Sequence, residues 1–263
     1  IDSILVPQKL LESGVENPTV LYGQLTGKAA VLVNIPLTLS MAICTPLIPI
    51  IAENYVLNKK EEMQNKINIA LKLSAVIALP ATLGIFCLAG PIMKLIFFDK
   101  YEGIEILRYL SISIPFIIVT QTTTSVLQAT NYYIRPVVNL IIGCILKVIL
   151  TAILVPIPKI NIFGAVISSV ASYMLVTILN LISLKSKTKC NISVYDSFVK
   201  PGYASVIMSV VVLFVYEFMM KKIANNSISC LLSVFMGIII YIISILLFKV
   251  FDVNDVKNRL VRK

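Results

Sequence analysis

The twenty residues VVNLIIGCILKVILTAILVP, positions 137–156, decide how this chain is read. A helix needs roughly 20 apolar residues to cross the hydrocarbon core of a bilayer, and this run supplies them with a single charge, Lys147, near its middle. A cation at that depth costs at least a few kcal/mol, so an intramembrane lysine marks a functional site by default. Outward from it lie six further apolar stretches, at 27–52, 69–97, 106–130, 161–184, 202–220 and 228–250. The composition agrees: 58% of residues are hydrophobic and 14% charged, with a mean hydropathy of +0.92, far from the balance of a water-soluble domain. Backbone polar groups in hydrocarbon must pair internally, which leaves helices or a closed barrel, and the period-two alternation of a barrel is absent. The sequence therefore predicts an all-α, polytopic membrane helix bundle of about seven transmembrane helices.

The chain opens Ile1-Asp2 with no initiator methionine, basic n-region or small-residue cleavage site, and reads as a C-terminal piece. Residues 1–26, with Pro7, Gly14, Pro18 and Gly23, are expected to be the end of an earlier span and a connecting segment. The expected order is then a five-helix main part at 27–184, a basic loop at 185–200, two accessory terminal helices at 201–251 and a basic tail at 252–263. Cytoplasmic connections carry the excess of Lys and Arg. One alternating set of connections holds twelve, including Lys59, Lys60, Lys66, Arg135, Lys185, Lys187, Lys189 and Lys200 and the tail with Lys257, Arg259, Arg262 and Lys263. The other set holds five: Lys9, Lys100, Lys159, Lys221 and Lys222. A multi-pass cell-membrane protein with its C-terminus in the cytoplasm follows, and the net charge of +10 is mostly topology. These charges are scattered between spans instead of forming one stripe, so no nucleic-acid partner is expected; membrane lipid is.

Catalysis finds little support. There is no histidine, which removes the commonest general base and metal ligand. Five cysteines, Cys44, Cys87, Cys144, Cys190 and Cys230, fall singly with no CxxC pair and read as apolar filler. No glycine-rich phosphate loop is present. Neither a metal, a cofactor nor an enzymatic activity is expected.

Polar residues within spans carry the binding reading. Prolines concentrate in consecutive spans, Pro36, Pro46 and Pro49 in the first, then Pro80 and Pro115, and are expected to kink them. The connection at 53–68 reads as a polar helix supported by a Glu62–Lys66 pair. Gln121, Thr124, Ser125 and Gln128 share one helix face; helix packing and an aqueous cavity both explain it. Asn139, Gly143, Lys147 and Thr151 recur every four residues on one face, with the glycine permitting close approach of a backbone or a substrate. For Lys147 two readings stand: a buried pair with a carboxylate, or a cation facing a water-filled cavity and an anion. The cavity is favoured because Glu217 lies near a helix end and Glu105 at an entrance, leaving no acid mid-span in this fragment. Gly164, Ser168 and Ser172 make a small-residue ridge for helix packing, and Glu217 and Lys221 are expected to pair near an interface.

The runs Tyr22-Gly23-Gln24-Leu25-Thr26-Gly27-Lys28, Asn34-Ile35-Pro36 and Pro46-Leu47-Ile48-Pro49-Ile50-Ile51-Ala52-Glu53 resemble stage V sporulation protein B and related polysaccharide-biosynthesis flippases. So do Leu79-Pro80-Ala81-Thr82-Leu83-Gly84, Ala89-Gly90-Pro91-Ile92, Leu127-Gln128-Ala129-Thr130-Asn131, Gly143 to Lys147 and Ile160-Asn161-Ile162-Phe163-Gly164-Ala165. Their order and spacing are similar to the superfamily that also holds the murein-precursor flippase and the multidrug and toxin extrusion transporters. The resemblance implies a two-lobed bundle with a central cavity and alternating access, of which this chain is the second lobe, with the N-terminal lobe as a missing partner. It implies a polyprenyl-diphosphate-linked saccharide, such as the peptidoglycan precursor, moved from the inner to the outer leaflet. A diphosphate in hydrocarbon needs cationic and amide partners, and Lys147, Gln121, Gln128, Asn139, Asn34 and Lys28 are the candidates. Lys28 also suits surface snorkelling. Where the murein-precursor flippase has an arginine five residues before the proline matching Pro36, this chain has Val31, so that protein's cation set does not transfer as a block. The alternatives are a cation-coupled multidrug exporter, which prefers intramembrane carboxylates, a membrane-embedded glycan ligase or acyltransferase, which needs catalytic histidines or acids, and a non-transporting scaffold for wall synthesis.

Overall fold

The structure, a computed structural model, describes residues 2–98, 100–189, 193 and 195–250. Among the described residues it is helical throughout. Helix α1 is Asp2–Glu12. The spans α2 (Pro18–Cys44), α4 (Lys60–Phe97), α5 (Ile104–Ala129), α6 (Ile134–Leu154), α7 (Ile162–Thr188), α8 (Tyr195–Ile223) and α9 (Asn226–Leu247) are each long and apolar enough to cross a membrane. A shorter apolar helix, α3 (Leu47–Val56), lies between the first two spans. The tail expected at 252–263, with its four basic residues, and Cys190 lie outside the described residues.

The first span differs from the 27–52 expected. It begins at Pro18, where proline fits the first turn of a helix, and ends at Cys44, because Pro46 caps a new helix instead of kinking the old one. Residues 24–29 form a π turn, one residue wider per turn than the rest of α2. Pro36 and Pro80 sit within helices without the expected break in helical dihedral angles, whereas Pro115 and Pro91 act one turn ahead of themselves. Pro115 has no N–H for the Ser111 carbonyl, so residues 111–113 tighten into a 3-10 turn in which the Ile114 N–H takes that carbonyl. In α4 the residue with non-helical dihedral angles is Leu88 (φ −99°, ψ 19°), one turn before Pro91 and not beside Pro80.

The main bundle has three levels. An apolar cluster toward one end includes Leu25, Val33, Met93, Leu107, Ile114 and Ile162. A second toward the other end includes Ile51, Ile67, Leu71, Val126, Leu127 and Leu184. Between them runs a belt of paired polar groups. Ser74 and Thr122 share a hydrogen bond of 2.6 Å, Thr120 and Thr177 one of 2.9 Å, and Asn180 donates to Thr124 Oγ1 at 3.0 Å. Buried polar groups are tolerated in such a place because each finds a partner.

The small-residue ridge of α7 packs as expected. A methyl group on Gly164 would stand 2.8 Å from the backbone of Leu154 and Val155, and one on Gly143 would stand 2.2 Å from Val176 Cγ2. Ser172 donates to the Gly143 carbonyl at 2.8 Å, and Thr151 and Ser168 share a hydrogen bond of 2.8 Å. The opposite face of α6, with Val137, Ile141, Ile145, Ile149 and Ile153, is exposed and suits acyl chains. Helices α8 and α9 form an antiparallel hairpin that rests on α4, where Tyr241 donates to the Val76 carbonyl at 2.8 Å. Two expected ion pairs do not form: Glu62 takes Lys59 at 3.4 Å in place of Lys66, and exposed Glu217 is not within pairing distance of Lys221.

Candidate functional site

Five helices, α1, α2, α5, α6 and α7, enclose a cavity of about 180 Å³ with Lys147 in its wall. The lysine reaches it because its neighbours on the same face, Gly143 and Thr151, hold α6 tightly against α7 one turn to either side. Its ammonium group makes an ion pair with Asp2 of α1. Asp2, Val6 and Leu10 lie at i, i+4 and i+8, so one helix face carries all three inward; Val6 and Leu10 are 2% and 0% exposed. The sequence reading had no acid to offer Lys147, and the correction comes from a residue 145 positions away. Pairing and cavity coexist here: the lysine and aspartate side chains are 23% and 39% exposed, open to the space between the helices.

Polar groups from each wall converge on this space. Asn34 comes from α2, Ser113 from α5, Ser169 from α7, and Tyr22 and Tyr173 from α2 and α7. The π turn contributes Leu25 and Thr26, and the wider turn sets these residues toward the cavity without a break in the helix. One ammonium, one carboxylate, an amide and several hydroxyls make a recognition surface for an anion with neighbouring hydroxyls. They contain no nucleophile poised against a base.

The other sequence candidates are distributed elsewhere. Asn139 is buried in the α6–α7 contact, donating to Asn180 at 2.8 Å and Ser183 at 3.2 Å, and is not among the cavity residues. Lys28 sits beyond the π turn, where it meets Glu102 at 3.0 Å, the carbonyl of Lys100 and the ring of Phe97 at 5.6 Å. This ties α2 to the α4–α5 connection. The hydrogen bond from Lys28 holds the Glu102 carboxyl below the usual carboxylate range. Gln121 lines a separate space of about 30 Å³ with Ser40, Thr45, Ile48 and Ser125, room for one water, and its Oε1 is buried without a partner. Gln128 is exposed at the end of α5. Lys147 and Asn34 are thus brought together, while the remaining four candidates stand apart from them. Sequence reasoning missed Asp2, Tyr22, Ser113, Ser169 and Tyr173. The inward face of α1 was the available signal for Asp2.

Comparison with known proteins places this architecture. The chain is 32% identical over 148 residues to the uncharacterized membrane protein YabM of Bacillus subtilis, covering 56% of this chain and 27% of that protein. It is 24% identical over 200 residues to stage V sporulation protein B of the same organism, covering 74% and 38% respectively. The chain therefore spans well under half the length of these curated relatives. Among solved structures, that of the lipid II flippase MurJ in an inward closed conformation superposes with a TM-score of 0.67 at 19% identity, over 92% of this chain and 52% of that one. This establishes the shared fold. The family model described as lipid II flippase MurJ matches residues 26–234, from the π turn of α2 into the final hairpin, and a match over that much of a multi-pass helical membrane protein makes this chain a member of the MurJ lipid II flippase family.

Proposed function

We propose that this chain is the second lobe of a flippase for a polyprenyl-diphosphate-linked saccharide, and that the Lys147 cavity takes part of the anionic head. The observation that carries this reading is the Lys147–Asp2 pair on an open cavity wall. A buried cation satisfied only by protein has no need of space beside it, whereas here the ammonium group faces space and polar side chains. The Asp2 carboxylate occupies a place that a phosphate oxygen would take. Exchange of one anionic oxygen for another at the same ammonium group keeps the lysine charged and paired throughout, which avoids the cost of an unpaired charge inside the membrane.

In this reading Lys147 is the anion contact, Asn34, Ser113 and Ser169 are hydrogen-bond partners, and α1 carries the displaced carboxylate. The N-terminal lobe would complete the cavity, and the basic connections Lys59–Lys66 and Lys185–Lys200 would face the cytoplasm together with the C-terminus. Helices α2 to α7 form the working part and α8–α9 the accessory part. No bond is made or broken; the protein changes which leaflet the head group faces.

The test is a leaflet-accessibility assay in proteoliposomes that carry a lipid-linked saccharide diphosphate, with the native protein compared with Lys147→Ala and Asp2→Asn. Translocation is expected to be lost in Lys147→Ala and altered in Asp2→Asn. An unchanged rate in Lys147→Ala removes this residue from the mechanism.

A further inference from the structure

A second basic cavity lies at the opposite level of the bundle, where the turn from α3 to α4 meets the C-terminal end of α7. It measures about 180 Å³, the volume of about six waters. Its walls are Asn54, Tyr55 and Asn58 from the turn, Lys60 and Met63 from α4, and Lys187, Thr188 and Lys189 from α7. The lining holds three ammonium groups and no carboxylate. None of the three lysines belongs to an ion pair among the described residues.

Helix chemistry alone does not account for this arrangement. Lys187 and Lys189 stand at a helix C-terminus, where cations are stabilised by the backbone dipole. Lys60 stands at the start of a 38-residue helix, the end that favours anions and disfavours cations. The same first turn carries Glu61 and Glu62, but neither lines the cavity, whereas Lys60 does. Two non-glycine residues with left-handed backbone conformations, Asn58 (φ 54°) and Lys189 (φ 52°), turn the chain on either side of it. Lys187 is held over the ring of Tyr132 at 5.8 Å, so one of the three charges is fixed in place instead of dispersed in water.

We propose that this cavity binds a phosphate group, and that a phosphodiester at the end of an anionic lipid is its natural source, with free phosphate as the other. The spans α4, α5, α6 and α7 all have ends at this level, so the cavity opens where lipid head groups lie. Basic pockets between transmembrane helices recognise anionic head groups in this way. The amides of Asn54 and Asn58 and the phenol of Tyr55 add neutral hydrogen-bond partners. A bound phosphate would bridge α3, α4 and α7 across a junction otherwise held by apolar contacts. This site is independent of the Lys147 cavity and of the transport reading.

The test titrates the purified chain in nonionic micelles with short-chain phosphatidylglycerol, with phosphatidylcholine of the same chain length and with inorganic phosphate, and follows binding by calorimetry. Saturable binding of phosphatidylglycerol and not of phosphatidylcholine is expected. Each of Lys60→Gln, Lys187→Gln and Lys189→Gln should weaken it about fivefold, and the triple change about a hundredfold. Lys60→Arg should retain it. The lysines are exposed, and thermal unfolding of each variant checks that the fold persists. Inorganic phosphate that binds as tightly as the lipid assigns the site to the free anion and supports the same chemistry. Equal weakening by Lys221→Gln and Lys222→Gln, at the other end of the molecule, would show diffuse attraction and overturn the proposal, as would a triple variant that binds like the native chain.

Discussion

Two lysines of this bundle, Lys147 and Lys28, are both paired with carboxylates, and their surroundings make the two pairs different objects. Lys28 is at the rim, beside a connection, with Glu102 62% exposed. Its ammonium group also has backbone carbonyls and an aromatic face to lean on. Lys147 is in the middle of a span, with one carboxylate and a cavity. Losing Glu102 leaves Lys28 to water and carbonyls, whereas losing Asp2 leaves Lys147 with only what enters the cavity. The same ion-pair chemistry is thus backed by carbonyls and an aromatic ring in one place and by open space in the other.

The largest expected effect breaks this contrast at its deep end. Lys147→Ala leaves Asp2 without its partner and should lower thermal stability in detergent by about 2–3 kcal/mol, below the range for a fully buried pair because the side chains remain partly exposed. Restoring neutrality with Asp2→Asn in the same chain should recover part of that loss; a double-mutant cycle with no coupling would dissolve the pair as an energetic unit. Next in size is Gly143→Ala, which tests whether the cavity depends on the close approach of α6 and α7. Its methyl group meets Val176 Cγ2 at 2.2 Å, and overpacking of this kind costs about 1–3 kcal/mol. Val176→Ala in the same chain should relieve it, and an unrelieved defect would point to the backbone instead.

A smaller effect is expected at the belt. Asn139→Ala leaves an acceptor of Asn180 unsatisfied and should cost about 1 kcal/mol, with transport retained; a transport defect without a stability defect would return Asn139 to the substrate path. Least of all is Lys28→Gln. Exposed pairs contribute little, and the informative readout is pH. Because Glu102 is held below its ordinary value, the pair's contribution is present above the ordinary carboxylate range and fades as pH falls through the lowered value. Lys28→Gln should remove that acid-side dependence while leaving neutral-pH stability nearly unchanged.

The spans were legible because hydropathy reports burial in lipid directly. The start of α2 was not, because Thr19, Tyr22, Gln24 and Thr26 dilute the signal in a helix whose polar residues include cavity walls. Its end was not, because the apolar run continues through Thr45-Pro46 and hydropathy does not register a change of helix direction. Lys147 stood out because charge in an apolar run is conspicuous from neighbouring residues alone. Its partner did not, since pairing over 145 positions depends on how α1 docks. Asn139 looked like a binding group for the same reason: its partner Asn180 is polar and mid-span in another helix, and only packing brings the two amides together.

The α8–α9 hairpin makes its main contact with α4. It sits on α4 like an outrigger, and α4 itself contributes no residue to the wall around Lys147. Its buried tyrosine anchor, Tyr241 on the Val76 carbonyl, fastens the pair to the long helix well ahead of the bend at Leu88, so the hairpin would follow the first half of α4 wherever that half goes.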